Sequence, residues 1–266
     1  MSQDYILYLI NKVTERINKE KTNIESKLGR EISFDEYSAI ALDCIYKKGL
    51  ETGVIDREDQ YLIGAILGNM FHQAYRETRK LDKPDKNGFM YNPREKELNQ
   101  EIDGEFVQYV LDGKIPQSKT LYVRDGKVYM DIANTEFANL SPYWKKDNFG
   151  AGKCATMAII TNWKGLSHDL PVVREHVTIA VASDIHNNWI ARDNVYRDVA
   201  PDGKVYTNEE LDTAYIYLID EEKAKDLVHV QMASRVIGKL VDEISKVKAN
   251  GNGEKTPEVQ EENQPQ

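Results

Sequence analysis

His186-Asn187-Asn188-Trp189-Ile190-Ala191-Arg192 opens the stretch whose reading decides the fold, and Tyr215-Ile216-Tyr217-Leu218-Ile219-Asp220-Glu221-Glu222-Lys223-Ala224-Lys225-Asp226 closes it. Between them lies a polar segment with a turn signal at Pro201-Asp202-Gly203. The plan is helix, short irregular or extended piece, helix. An earlier stretch repeats it. His72-Gln73-Ala74-Tyr75-Arg76-Glu77-Thr78-Arg79 takes the opening part, and Phe137-Ala138-Asn139-Leu140-Ser141-Pro142-Tyr143-Trp144-Lys145-Lys146-Asp147 the closing part. A duplication of this kind fixes architecture, because one such unit cannot bury its apolar face alone.

The segments around these stretches fill in the element order. Ile6, Leu7, Leu9, Ile10, Val13 and Ile17 give residues 4–22 helical spacing. Ser33-Phe34-Asp35-Glu36 has the capping-box pattern and starts a helix ending near Gly49. Asp56 caps the next helix, which buries Leu62, Ile63, Ile66, Leu67, Met70 and Phe71 and carries His72, Tyr75 and Arg79 near its end. Pro84, Gly88 and Pro93 punctuate a loop, and Phe106, Tyr109 and Val110 point to a short helix. Leu121 to Asp131 reads as a hairpin turning at Asp125-Gly126. Ser141-Pro142 opens a helix reaching about Trp163, with serine as N-cap and proline in the first turn. Gly165 to Pro171 joins the halves. A helix over about 172–192 and a long one from Asp220 to about Val247 follow. Residues 249–266 are expected to be a disordered tail, since almost nothing apolar offsets their ordering entropy. The expected fold is mainly α with short β-elements. A helical segment over 1–55 precedes two pseudo-symmetric tandem repeats at 56–165 and 170–248, each a helix pair joined by a loop or hairpin segment.

These residues resemble the ryanodine-receptor repeat family. That family opens with His-x-x-Trp-x-x-x-Arg, runs through a Gly-Trp-x-Tyr-Gly-Pro-like loop, and closes with Pro-Tyr-x-x-Leu-x-x-x-Glu-Lys-x-x-Asp. The second half matches at His186 and Trp189, with Arg192 one position early, and at Tyr215, Leu218, Glu222, Lys223 and Asp226, with Ala214 in place of proline. The first half matches at His72 and Arg79, with Tyr75 for tryptophan, and in its loop at Gly88, Phe89, Tyr91 and Pro93. Its closing part fits at Phe137, Leu140 and Lys145, with Trp144 where glutamate is expected. The likeness covers about residues 58–245. It implies two helix pairs with short β-elements and, between them, an aromatic-lined pocket able to take an adenine nucleotide.

The bulk chemistry narrows the classes. A net charge of −9 argues against general nucleic-acid binding, which needs a basic surface to displace counterions. Cys44 and Cys154 sit in apolar helical patterns with neither zinc nor disulfide spacing. No apolar run approaches the roughly 20 residues of a membrane span, and Met1-Ser2-Gln3-Asp4 lacks the blocks of a signal peptide. A cytoplasmic protein is expected. Gly150-Ala151-Gly152-Lys153-Cys154 fails as a phosphate loop: Asp147 stands at the first glycine and Cys154 replaces the hydroxyl. His168-Asp169 with His176 lacks the i, i+4 spacing of a helical metal pair, and no metal or cofactor is expected.

The ligand-binding candidates are His72, Tyr75, Arg79, Tyr91, His186, Trp189 and Arg192. His186 and Trp189 share a helix face. Both fill the core, or Trp189 and its counterpart Tyr75 face a cleft where a base stacks. Arg79 or Arg192 meets a phosphate, or each pairs with a nearby acid. The acidic run Asp220-Glu221-Glu222 suits a helix N-terminus better than catalysis. No nucleophile–base–orienter set is readable, so a non-enzymatic sensor or sequestering module for a nucleotide-like ligand is expected. The competing class is a structural or interaction protein, of the kind phages carry, whose N-terminal helices dock a partner.

Overall fold

The computed structural model describes residues 3–162, 175–190 and 212–251. Its first element, α1 (Gln3–Leu28), is longer than the apolar spacing alone marked out. In α2 (Phe34–Thr52) both halves of the capping box form: the Ser33 hydroxyl accepts from the Glu36 amide and the Glu36 carboxylate from the Ser33 amide. Arg30 and that amide hold the Glu36 carboxyl down at about 2. The helix does not stop at Gly49. It stops at Gly53, which is left-handed at φ 68° and returns its N–H to the Gly49 carbonyl. Gly49 serves packing instead: a Cβ there would lie 3.0 Å from Ile244 Cδ1.

Asp56 caps α3 (Arg57–Glu77) through the Asp59 amide, as its position foretold, but α3 ends two residues before Arg79. A three-stranded antiparallel sheet follows, in the order β1 (Glu95–Glu97), β3 (Lys127–Asp131), β2 (Leu121–Arg124). The β2–β3 turn has Asp125 at φ 51° and Gly126 at φ 75°, the two left-handed residues a tight hairpin requires. The short helix α4 (Gly104–Leu111) lies against β2 and β3. Met130, Val128, Val110 and Leu140 give this region its own small core.

After a 3-10 turn at Phe137–Asn139 comes α5 (Pro142–Asn162). Ser141 stands at the expected N-cap, its carbonyl accepting from the Lys145 amide, but the side-chain acceptor there is Asp103. The Asp103 carboxylate takes the Tyr143 amide at 3.0 Å and the Ser141 hydroxyl at 2.9 Å. The cap thus comes from the residue before α4 and ties the sheet region to the helices. α6 (Glu175–Ile190) packs on α5, and a second 3-10 turn, Tyr215–Tyr217, leads into α7 (Asp220–Ala233). The expected single long helix is interrupted by a π-helical stretch at Ser234–Gly238 before α8 (Lys239–Gly251). Helix therefore persists past the expected start of the tail. Arg192, the Asp202-Gly203 turn, the Gly165–Pro171 link and residues beyond Gly251 lie outside the described residues.

One large core gathers residues from α1, α2, α3, α5, α6, α7 and α8. Helices α1 and α2 thus contribute to this main core through Leu9, Val13, Tyr37, Ala41 and Ile45. Within that core α3 and α5 meet almost backbone to backbone, at Gly64 and Gly68 of one and Gly152 of the other. Glycine in mid-helix costs about 1 kcal/mol relative to alanine. Here it permits the close approach. Among the described residues no helix is long and apolar enough to cross a membrane.

Candidate functional site

The two candidate histidines, His72 and His186, are interior groups. His72 is 4% exposed, and its Nε2 lies 2.8 Å from the Thr135 carbonyl. A carbonyl only accepts, so Nε2 carries the hydrogen. The ring stacks at 6.3 Å on Tyr75 and tilts at 6.5 Å against Phe137. His186 is also 4% exposed, with Nε2 2.9 Å from the Thr213 carbonyl, a 5.8 Å stack on Trp189 and a 6.4 Å tilted contact with Tyr215. In each half, histidine pins the 3-10 turn of the closing segment to the opening helix. Further along, Thr156 and Ser234, both buried, each donate to the carbonyl four residues back. The halves differ at the partner of the second histidine nitrogen. His186 Nδ1 meets the Asp226 carboxylate at 3.2 Å, whereas Asn148, at the matching helix position, turns its amide to the Trp144 carbonyl.

Burial pushes the His72 imidazole below its ordinary 6.5; nearby Arg76 adds to this, while the Thr135 bond opposes it. A histidine lowered in the folded state binds fewer protons there than in the unfolded chain. Its contribution to stability is therefore complete above the unfolded pKa and is lost as pH falls through that value toward the folded one. Wild type is expected to lose more melting temperature between pH 7.5 and 5 than His72→Gln, which keeps a donor for Thr135. Parallel pH profiles for the two proteins would refute this.

Tyr75 and Trp189 are each partly exposed. No ring contact or hydrogen bond joins them to each other among the described residues. The cation beside Tyr75 is Arg94, whose guanidinium sits 5.7 Å from the ring and donates to its hydroxyl at 3.2 Å. Arg79 is engaged elsewhere, donating to the Asn92 and Pro93 carbonyls at 2.9 and 3.2 Å. It laces the 79–94 loop, a role neither sequence alternative foresaw. Tyr91 donates to Glu77 at 2.9 Å beneath the Arg76 guanidinium, and its backbone is clamped by Asn134. Asn134 is in turn held by Asp131.

The sequence reading missed Arg94, Asp131 and the two threonines. One signal was available: threonine stands two places before the aromatic in both closing stretches, at Thr135-x-Phe137 and Thr213-x-Tyr215. The Gly150–Cys154 stretch lies inside α5, as its context required. Among the described residues no group of three or more His, Cys, Asp and Glu side chains could hold a metal ion. The chain matches no protein-family description, no curated protein and no solved structure.

Proposed function

We propose that this chain is a non-enzymatic binding module of the ryanodine-receptor-repeat kind. It holds a nucleotide-like, adenine-bearing ligand on its partly exposed aromatic rings, as a sensor or sequestering protein. The observation that carries the reading is the recurrence in both halves of one arrangement: a buried histidine on a backbone carbonyl, with an aromatic ring stacked outside it and left partly open. An open ring with a rigid partner beneath it is a stacking platform. At Tyr75 the cation for a phosphate is Arg94 rather than Arg79.

The test is a thermal melt of wild type and Trp189→Ala with a panel of adenine nucleotides. A ligand that binds only the native state raises the melting temperature by mass action. Loss of the Trp189 platform is expected to weaken binding by roughly 1–3 kcal/mol. The nucleotide should be recovered unaltered after prolonged incubation. No shift with any panel member would sink the assignment.

One observation favours a protein-interaction role instead. The second 3-10 turn leaves Ile216, Tyr217 and Ile219 at 56%, 74% and 59% exposure. An apolar ridge of this kind commonly marks contact surfaces. Under that reading Tyr217→Ser leaves the melt unchanged, and nucleotides do nothing.

A further inference from the structure

The first three helices leave a groove of about 430 Å³ between them, within the size range of small-molecule sites. Its floor is apolar, built from Ile24 of α1, Ile40, Ala41 and Ile45 of α2, and Leu62 of α3. Its wall is ionic. The Asp59 side chain, 3% exposed, receives Arg16 at 2.9 Å and Lys48 at 2.8 Å. Glu20 receives Arg16 at 2.8 Å and the Tyr37 hydroxyl at 2.7 Å. Both carboxylates are therefore satisfied by the groove's own donors.

Two other donors are not committed. Asn23 and Lys27 stand one turn apart on α1 and line the same groove. Among the described residues neither makes a hydrogen bond or ion pair. The lining thus carries three cations, Arg16, Lys27 and Lys48, against two carboxylates, on a chain whose net charge is −9. An apolar floor with an uncommitted ammonium and amide at its rim fits a molecule that is greasy at one end and anionic at the other.

We propose that the groove binds an amphipathic carboxylate. Its hydrocarbon or aryl body lies on Ile24 and Ile40, the accessible isoleucines of the groove, and its carboxylate accepts from Lys27 and Asn23. Apolar burial supplies most of the affinity, and Lys27 selects the sign of the head group. Leu62 and Tyr75 are separated by about 20 Å along α3. The site is therefore distinct from the aromatic platforms, and failure of either proposal leaves the other standing.

Cys44 provides the readout, because it lines the groove and its side chain is exposed. The full chain is treated with a thiol-reactive disulfide in the presence of decanoate, decanol or decylamine, each below its micelle threshold. Modification is followed by peptide mass mapping, with Cys154 as internal reference. Decanoate is expected to slow modification at Cys44 and not at Cys154. Decanol should need about fivefold more for the same protection, and decylamine more still. Lys27→Glu, at an exposed position, should raise the half-protecting decanoate concentration roughly fivefold. Ile40→Glu should abolish protection. Equal protection by all three compounds, equal slowing at Cys154, no protection by decanoate, or full protection in Lys27→Glu would each overturn the proposal.

Discussion

Gly152→Ala is expected to lower stability by at least about 3 kcal/mol, some 6–12 °C in melting temperature. An added methyl would sit inside the contact shell of the Gly64 carbonyl oxygen and 2.6 Å from the Gly68 nitrogen. Both atoms are backbone, so no rotamer change relieves the clash, and α3 and α5 must separate. That separation would loosen Phe149, Ala155 and Ile159 in the core at once. Gly104→Ala is the control. It begins α4 with nothing within 4 Å of its added carbon, and should melt within error of wild type. If Gly152→Ala also melts within error, the close helix approach is not a constraint on the fold.

Asp131→Ala is expected to cost about 3 kcal/mol or more. The residue is 2% exposed. One carboxylate oxygen accepts the amides of Arg94 and Ala133 at 2.9 and 3.1 Å, and the other accepts the Asn134 side chain at 2.8 Å. Alanine strands those donors, and each buried donor left without a partner costs about 1–3 kcal/mol. The damage should also be local at first, because residues around the sheet have their own small core. Hydrogen exchange is expected to quicken over residues 88–94 and 133–135 while α2 and α8 stay protected. Uniform exchange along the chain would show that the sheet region and the helices open together. Asp131→Asn keeps one acceptor and should fall between wild type and alanine.

What the sequence disclosed follows from which forces are local. Ser33 with Glu36, Asp56, and Asp125-Gly126 act within a few residues, and the cap and turn chemistry placed those boundaries correctly. The pairing of histidine with an aromatic three places on was equally readable, because it lies within one helical turn. Gly49 misled because a glycine that ends a helix and one that admits a neighbouring helix look alike until the neighbour is known. Ser141-Pro142 marked the start of α5 correctly, but the side-chain cap comes from Asp103, distant in sequence, which no local pattern announces. Arg79 and Arg94 could not be told apart, since which arginine reaches Tyr75 depends on how the 79–94 loop folds back. The groove beside α1 has no sequence signature. It arises where three amphipathic helices, each regular on its own, fail to fill the space between them.

The packing of α2 on α8 also sets a timetable for the chain's birth. Tyr46 is bonded to Glu243, a partner 197 residues further along. At about 5–20 residues per second, a ribosome needs roughly 10–40 s to deliver it. Through that interval the face of α2 at Gly49 lacks its native cover, since Leu240 and Ile244 have yet to be made. The contact between α2 and α8 is thus one that the chain can make only late in its synthesis.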